Sequence, residues 1–160
     1  MALTTSQKAA VKVYILATPN LAAVASGPGT DYAFIAEQLS AEASPAFYVW
    51  RSSYTPQQMR AAMTVNLGTA QLDGLTAGKR DALLWFIGET INPSDPAVIA
   101  TINDFCGSQN TLKASLVDGA KRKANVIEKV LAIGTGSLAV PATAGYEGSI
   151  GTFDIGGILA

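Results

Sequence analysis

Apolar residues recur along most of this chain at spacings of three and four, and Gly and Pro punctuate the polar breaks between them. That spacing lines one face of a helix. The first stretch, residues 5 to about 17, aligns Val11, Tyr14 and Ile15, with Thr5 or Ser6 able to cap it. Pro19 marks a break, a short helical turn is expected over 21–25, and Ser26-Gly27-Pro28-Gly29 turns the chain. A helix from 32 to about 39 takes Asp31 as its cap and turns Phe34, Ile35 and Leu39 inward. The aromatic run Phe47-Tyr48-Val49-Trp50 reads as a core anchor. Thr55-Pro56-Gln57-Gln58 has the form of a capping box with Pro at the first helical position. It opens a helix with Met59, Ala62 and Met63 inward that ends near Asn66-Leu67-Gly68.

Thr76 caps the next helix, whose apolar second half, Leu83 to Ile87, is expected to lie centrally in the core. Ser94-Asp95-Pro96 opens another, with Val98, Ile99, Ile102 and Phe105 inward and Gly107 stopping it. The last and longest helix is predicted over 110–133, from the recurrence of Leu112, Leu116, Ala120, Ile127, Val130 and Leu131, with Gly134 ending it. Beyond that the pattern changes to Gly, Ala, Ser and Thr with no charge until Glu147, then to loose alternation. The expected class is therefore mainly α: a helical bundle domain over 1–134 and an extended C-terminal arm over 135–160. An isolated strand is unstable in water, so the arm must pair with its own domain, a neighbouring copy or a partner. Its apolar residues Tyr146, Ile150, Phe153, Ile155, Ile158 and Leu159 are the candidate partner-binding set.

Composition sharpens this picture in three ways. Apolar residues are 49% of the 160, enough for a core, while charged residues are 14%, about half the usual share, which suggests a surface partly covered by partners. A net charge of −1 argues against a general nucleic-acid binder. The single cysteine, Cys106, excludes an internal disulfide and reads as a small buried hydrophobe. The N-terminal residues lack a signal-peptide pattern and the apolar runs are too short to span a bilayer, so no membrane role and synthesis in the cytoplasm are expected.

Little catalytic chemistry is on offer. There is no histidine, which removes the usual triads and most zinc sites, and no phosphate-binding Gly-rich loop with a following Lys. Carboxylate pairs, Glu37 with Glu42 or Glu89 with Asp95, could in principle serve a cell-wall-cleaving enzyme. Each sits near a helix end or on a polar face, where capping or solvation is the simpler role. The expectation is a protein that is not an enzyme and holds no cofactor or metal. One charged feature stands out: Lys121, Arg122, Lys123 and Lys129, with Lys113, place five of eleven basic residues on the expected last helix. A solvated basic face near a helix C-terminus is one reading, and contact with an acidic partner or packaged DNA is the other.

The opening Met1-Ala2-Leu3-Thr4-Thr5-Ser6-Gln7-Lys8 and the run Ser44-Pro45-Ala46-Phe47-Tyr48-Val49-Trp50 resemble a family of small virion-associated proteins of tailed bacteriophages. So do the basic stretch from Lys121 to Ala132, then Gly134-Thr135-Gly136-Ser137, Pro141-Ala142-Thr143 and Tyr146-Glu147-Gly148-Ser149-Ile150. The likeness covers both ends and is looser between Thr64 and Gly107; none of its motifs is catalytic. The ending Asp154 to Ala160 is longer and more apolar than the family pattern, which points to an arm partner particular to this phage. A helical domain with a C-terminal arm is similar to head–tail adaptor (connector) proteins. The resemblance implies a virion structural protein at the head–tail interface, bound to the portal protein and other neck or tail proteins. It implies a ring homo-oligomer, of twelve copies if it follows portal symmetry, with packaged DNA nearby. Capsid decoration, a minor tail role, the lytic enzyme and a DNA-binding regulator are the alternatives.

Overall fold

The computed structural model describes residues 2–66 and 72–160 and is mainly α-helical. The described elements are α1 (Thr5–Ala17), α2 (Pro19–Ser26), α3 (Tyr32–Ser40), β1 (Tyr48–Trp50), α4 (Pro56–Asn66), α5 (Ala77–Phe86), α6 (Pro96–Cys106), α7 (Asn110–Gly119), β2 (Lys121–Lys123), α8 (Val126–Leu131) and α9 (Thr152–Leu159). β1 and β2 pair as a two-stranded sheet. The chain divides into two compact units: Met1–Val49 with Lys123–Ala160, and the inserted segment Trp50–Arg122. This division replaces the expected boundary at 134, because the C-terminal residues fold into the same unit as the N-terminal helices.

The first unit is built on α1, α3, α8 and α9. Thr4 caps α1 instead of Thr5 or Ser6: its hydroxyl accepts from the Gln7 amide at 3.2 Å, and Gln7 Oε1 accepts from the Thr4 amide at 2.9 Å. Pro19 does not only end α1; at the first position of α2 it restarts the helix, where its missing N–H costs nothing. Asp31 caps α3 by accepting from Phe34 N. The core joins Val11 and Ile15 of α1, Ile35 and Leu39 of α3, Ile127 of α8 and Ile155 and Ile158 of α9. A smaller cluster gathers Val49, Ala124 and Ala142, with Phe47 packed against it. No single described helix is long and apolar enough to cross a membrane. α1 and α2 together reach the length but meet at a 101° bend, and Val11, Ile15 and Leu21 are spent on the core.

In the second unit α4, α5, α6 and α7 surround Tyr54, Met59, Leu83, Ile102, Cys106, Leu112 and Leu116. The expected caps form at Thr55 and Thr76, and within Ser94-Asp95-Pro96 it is Asp95 that caps α6. Gly107 ends α6 with φ +53°. The expected end of α4 at Leu67-Gly68 lies outside the described residues. α5 departs from expectation: Leu83 and Phe86 are buried, but Leu84 and Trp85 stand 51% and 71% exposed. A helix advances 100° per residue, so five consecutive apolar side chains cannot all face one core.

The predicted helix over 110–133 is broken into α7, β2 and α8. Ala120 ends α7, and Arg51 reads the exposed carbonyls there, with its backbone N–H on Ala120 O at 2.9 Å and Nε on Gly119 O at 3.0 Å. Gly119 lies directly beneath the Tyr54 hydroxyl, where a Cβ would collide with it. α8 restarts at Asn125, whose side chain accepts from Glu128 N at 2.9 Å while Glu128 Oε2 accepts from Asn125 N at 3.1 Å. The run Leu112, Leu116, Ala120 and Ile127 is fully buried, as its periodicity implies, but a strand interrupts it.

Candidate functional site

The C-terminal segment is not an extended arm. After Pro141, Ala142 bridges Val49 in parallel and Thr143 bridges Ile133 antiparallel, and the chain then closes over α1 and α3 as a helix. Of the six candidate contact residues, Tyr146, Ile150, Ile155 and Ile158 are buried in their own core at 4–6% exposure or less, and Leu159 packs against it. The physical reason is a period misread: residues 152–159 place Ile155, Ile158 and Leu159 at helical spacing, which satisfies the core better than alternation. Only Phe153 stays outside, at 92% exposure.

Polar contacts fix this segment along its length. Glu128, 3% exposed, accepts from Gly148 N on Oε1 at 3.0 Å, and Asn125 Nδ2 donates to Gly148 O at 2.9 Å. Gln7 Nε2 donates to Gly145 O at 2.7 Å, Ile150 N to Ser40 Oγ at 3.3 Å, and Lys12 Nζ to Leu159 O at 3.1 Å. The Tyr146 hydroxyl donates to Ser149 O at 2.8 Å, and burial raises its pKa. The residues that hold the tail were thus missed in the sequence, although Asn125-Val126-Ile127-Glu128 carries a capping-box spacing that announces the helix start.

The basic residues do not form a helical face either. Lys121, Arg122 and Lys123 lie on β2, where alternate side chains point to opposite faces, so Arg122 and Lys129 share no helix stripe. Lys121 bonds Asp118 at 2.8 Å and lies 6.0 Å from the Trp50 ring centroid, within cation–π range. Lys123 bonds Glu42 at 2.7 Å, and that hydrogen bond raises its pKa. Lys129 sits 5.9 Å from the Phe47 ring. Arg122 is half-buried. Asp118 matches Lys121 and Glu42 matches Lys123, which weakens a reading in which these residues form one basic surface toward DNA.

One carboxylate of each candidate pair makes a structural contact. Glu42 holds Lys123, and Asp95 caps α6 by accepting from Ala97 N at 2.9 Å; Glu37 and Glu89 are exposed. Among the described residues no group of three or more His, Cys, Asp or Glu could hold a metal. An open groove of about 590 Å³ runs along α7, lined by Ala62, Asn110, Thr111, Ala114, Ser115, Asp118 and Gly119, with one carboxylate.

What the first unit does present is apolar surface. The uncharged loop 133–145 exposes Ile133 at 74%, Leu138 at 56% and Val140 at 60%. On α9 and α3 a shallow groove of about 440 Å³ is lined by Tyr32, Thr152, Phe153, Gly156 and Gly157, none of them charged. No family model, curated protein or solved structure matches the chain.

Proposed function

We propose that this chain is a structural subunit of a tailed-phage particle, acting as a head–tail adaptor that assembles as a ring on the portal. The observation that carries the reading is the set of large apolar side chains that the first unit leaves in water: Phe153 on α9, and Ile133, Leu138 and Val140 on an uncharged loop. In this reading the exposed loop residues make one apolar patch, of the kind a partner covers. The low charge of the whole chain agrees with that, and the resemblance of both chain ends to tailed-phage virion proteins supplies the setting.

Portal contact in this proposal falls to the loop and to Phe153, since the rest of the C-terminal segment is committed to the core. Cryo-electron microscopy of the intact particle tests it. Density for the chain as a ring beneath the portal is expected. Density spread over the capsid lattice or confined to the tail would favour decoration or tail roles, and absence from the particle would sink the structural reading.

A further inference from the structure

The groove along α7 carries buried hydroxyls that the described chain does not use. At about 590 Å³ it has the size of a ligand site. Thr111, Ser115 and Gly119 line it as one row of α7, each one turn from the next, with Ala114 and Asp118 beside them and Ala62 contributed by α4. Ser115 is only 6% exposed, and its hydroxyl bonds to no described residue. The row continues past Ser115 with a group from elsewhere in the chain. A Cβ on Gly119 would collide with the Tyr54 hydroxyl and with the Ala62 Cβ, so that hydroxyl takes the place of a side chain at position 119. It is fully buried and has no hydrogen-bond partner. Burial pushes the phenol up to about 12, so it stays a donor at neutral pH. A buried hydroxyl left unpaired is costly, and two in one row call for acceptors from outside the chain.

The lining decides what those acceptors belong to. Its single carboxylate, Asp118, is matched by Lys121 at 2.8 Å, which leaves no net charge to hold an ion. No aromatic ring lines the groove, so a base has nothing to stack on. The side chains are small, which lets another backbone come close to the helix. Four residues of helix set successive hydroxyls about 6 Å apart. An extended peptide repeats its same-side groups every two residues, about 6.6 Å. The two spacings nearly coincide.

We propose that the α4–α7 groove binds an uncharged, extended peptide segment, with Ser115 and Tyr54 donating to its main-chain carbonyls. The site lies wholly within the second unit and does not depend on the phage reading.

The blocked peptide acetyl-Gly-Ala-Gly-Ala-amide, titrated into the full-length isotopically labelled chain, tests it by NMR. Saturable shifts confined to α7 and to the surroundings of Tyr54 and Ala62 are expected, with a dissociation constant in the millimolar range of a small ligand. Acetate at the same concentration is expected to shift nothing there. Ala114→Leu, at an exposed position, is expected to fill the groove and abolish the shifts. Ser115→Ala and Tyr54→Phe are each expected to weaken binding about two- to tenfold, the range for one hydrogen bond. Tyr54→Phe should also melt at or above the wild-type temperature, since it deletes a hydroxyl that has no partner. A clearly lower melting temperature would mean that the hydroxyl is bonded inside the chain, and would overturn the inference. So would shifts that fail to saturate, that survive Ala114→Leu or that acetate reproduces, and so would undiminished binding by the two hydroxyl variants.

Discussion

Glu128 ties two stretches of chain together with one buried carboxylate. One oxygen accepts from Asn125 N at the start of α8 and the other from Gly148 N in the C-terminal segment. Glu128→Gln replaces one acceptor by an NH₂ that must face a backbone N–H. It is expected to cost about 1–3 kcal/mol, the range for stranding a buried donor, as read by urea denaturation. Gly156 makes the opposite case. An alanine there removes the helix penalty of glycine and is expected to raise stability by about 0.5–1 kcal/mol while filling part of the groove. Thermal melts of the alanine variant should therefore rise, since a Cβ there meets nothing nearer than the Tyr32 ring at 4.0 Å. Cys106 and Tyr54, both fully buried in the second unit, give a pH signature. Burial pushes the thiol from 9.0 up to about 11 and the phenol from 10.0 up to about 12. A raised folded-state pKa means the unfolded chain loses its proton first. The stability each group contributes is whole below its unfolded value and drains as pH climbs toward its folded value. Unfolding free energy is expected to fall from pH 9 upward, at up to about 1.4 kcal/mol per pH unit for each group, and the melting temperature falls with it. Cys106→Ala should flatten the part of that slope between pH 9 and 11.

At the scale of elements, the start signals were the legible part. Asp31, Thr55 and Thr76 all cap as their spacing implies, and the Ser94-Asp95-Pro96 start holds with Asp95 as its cap, because a cap is a local bargain between one short side chain and the next turn. Residues 110–133 show where periodicity misleads. Leu112, Leu116 and Ala120 are buried in the second unit's core and Ile127 in the first's, so a burial spacing that reads as one helix is shared between two cores and interrupted by a strand. The sequence does hold the correction, in Gly119 before the basic run and the capping box Asn125 to Glu128 after it. What it could not show is that Tyr54, 65 residues away, lies so close to Gly119 that a Cβ there would collide with its hydroxyl. The candidate site fared similarly: Phe153 remains on the surface, while Tyr146, Ile150, Ile155 and Ile158 are core and Leu159 packs against it. The exposed loop residues Ile133, Leu138 and Val140 carried no signal beyond a Gly-rich, uncharged stretch. Asn125→Ala removes the cap that restarts α8 and frees the Gly148 carbonyl. A loss of about 1 kcal/mol is expected for the cap alone, measurable by the same denaturation.

At the scale of the molecule, the two units differ in how they use the chain. The second is one continuous segment, Trp50–Arg122, whereas the first needs both ends of the chain at once. Ile150, Ile155 and Ile158 come from the last eleven residues, and they share a core with Val11, Ile15, Ile35 and Leu39. Full burial of a side chain this size is worth about 1.5–3 kcal/mol, so the three together supply roughly 5–9 kcal/mol. That is comparable to the whole stability of a typical domain. Deleting residues 150–160 is therefore expected to unfold the first unit, with a large loss of helical circular dichroism, and to leave the second unit melting near its original temperature. A free arm predicts otherwise: the truncated chain would keep its full melting profile and lose only partner binding. Hydrogen exchange distinguishes the two outcomes by segment. Protection should vanish across α1, α3 and α8 and persist across α6 and α7. Protection retained in α1 and α3 after the truncation would mean that the C-terminal helix is an accessory to that core and not one of its walls.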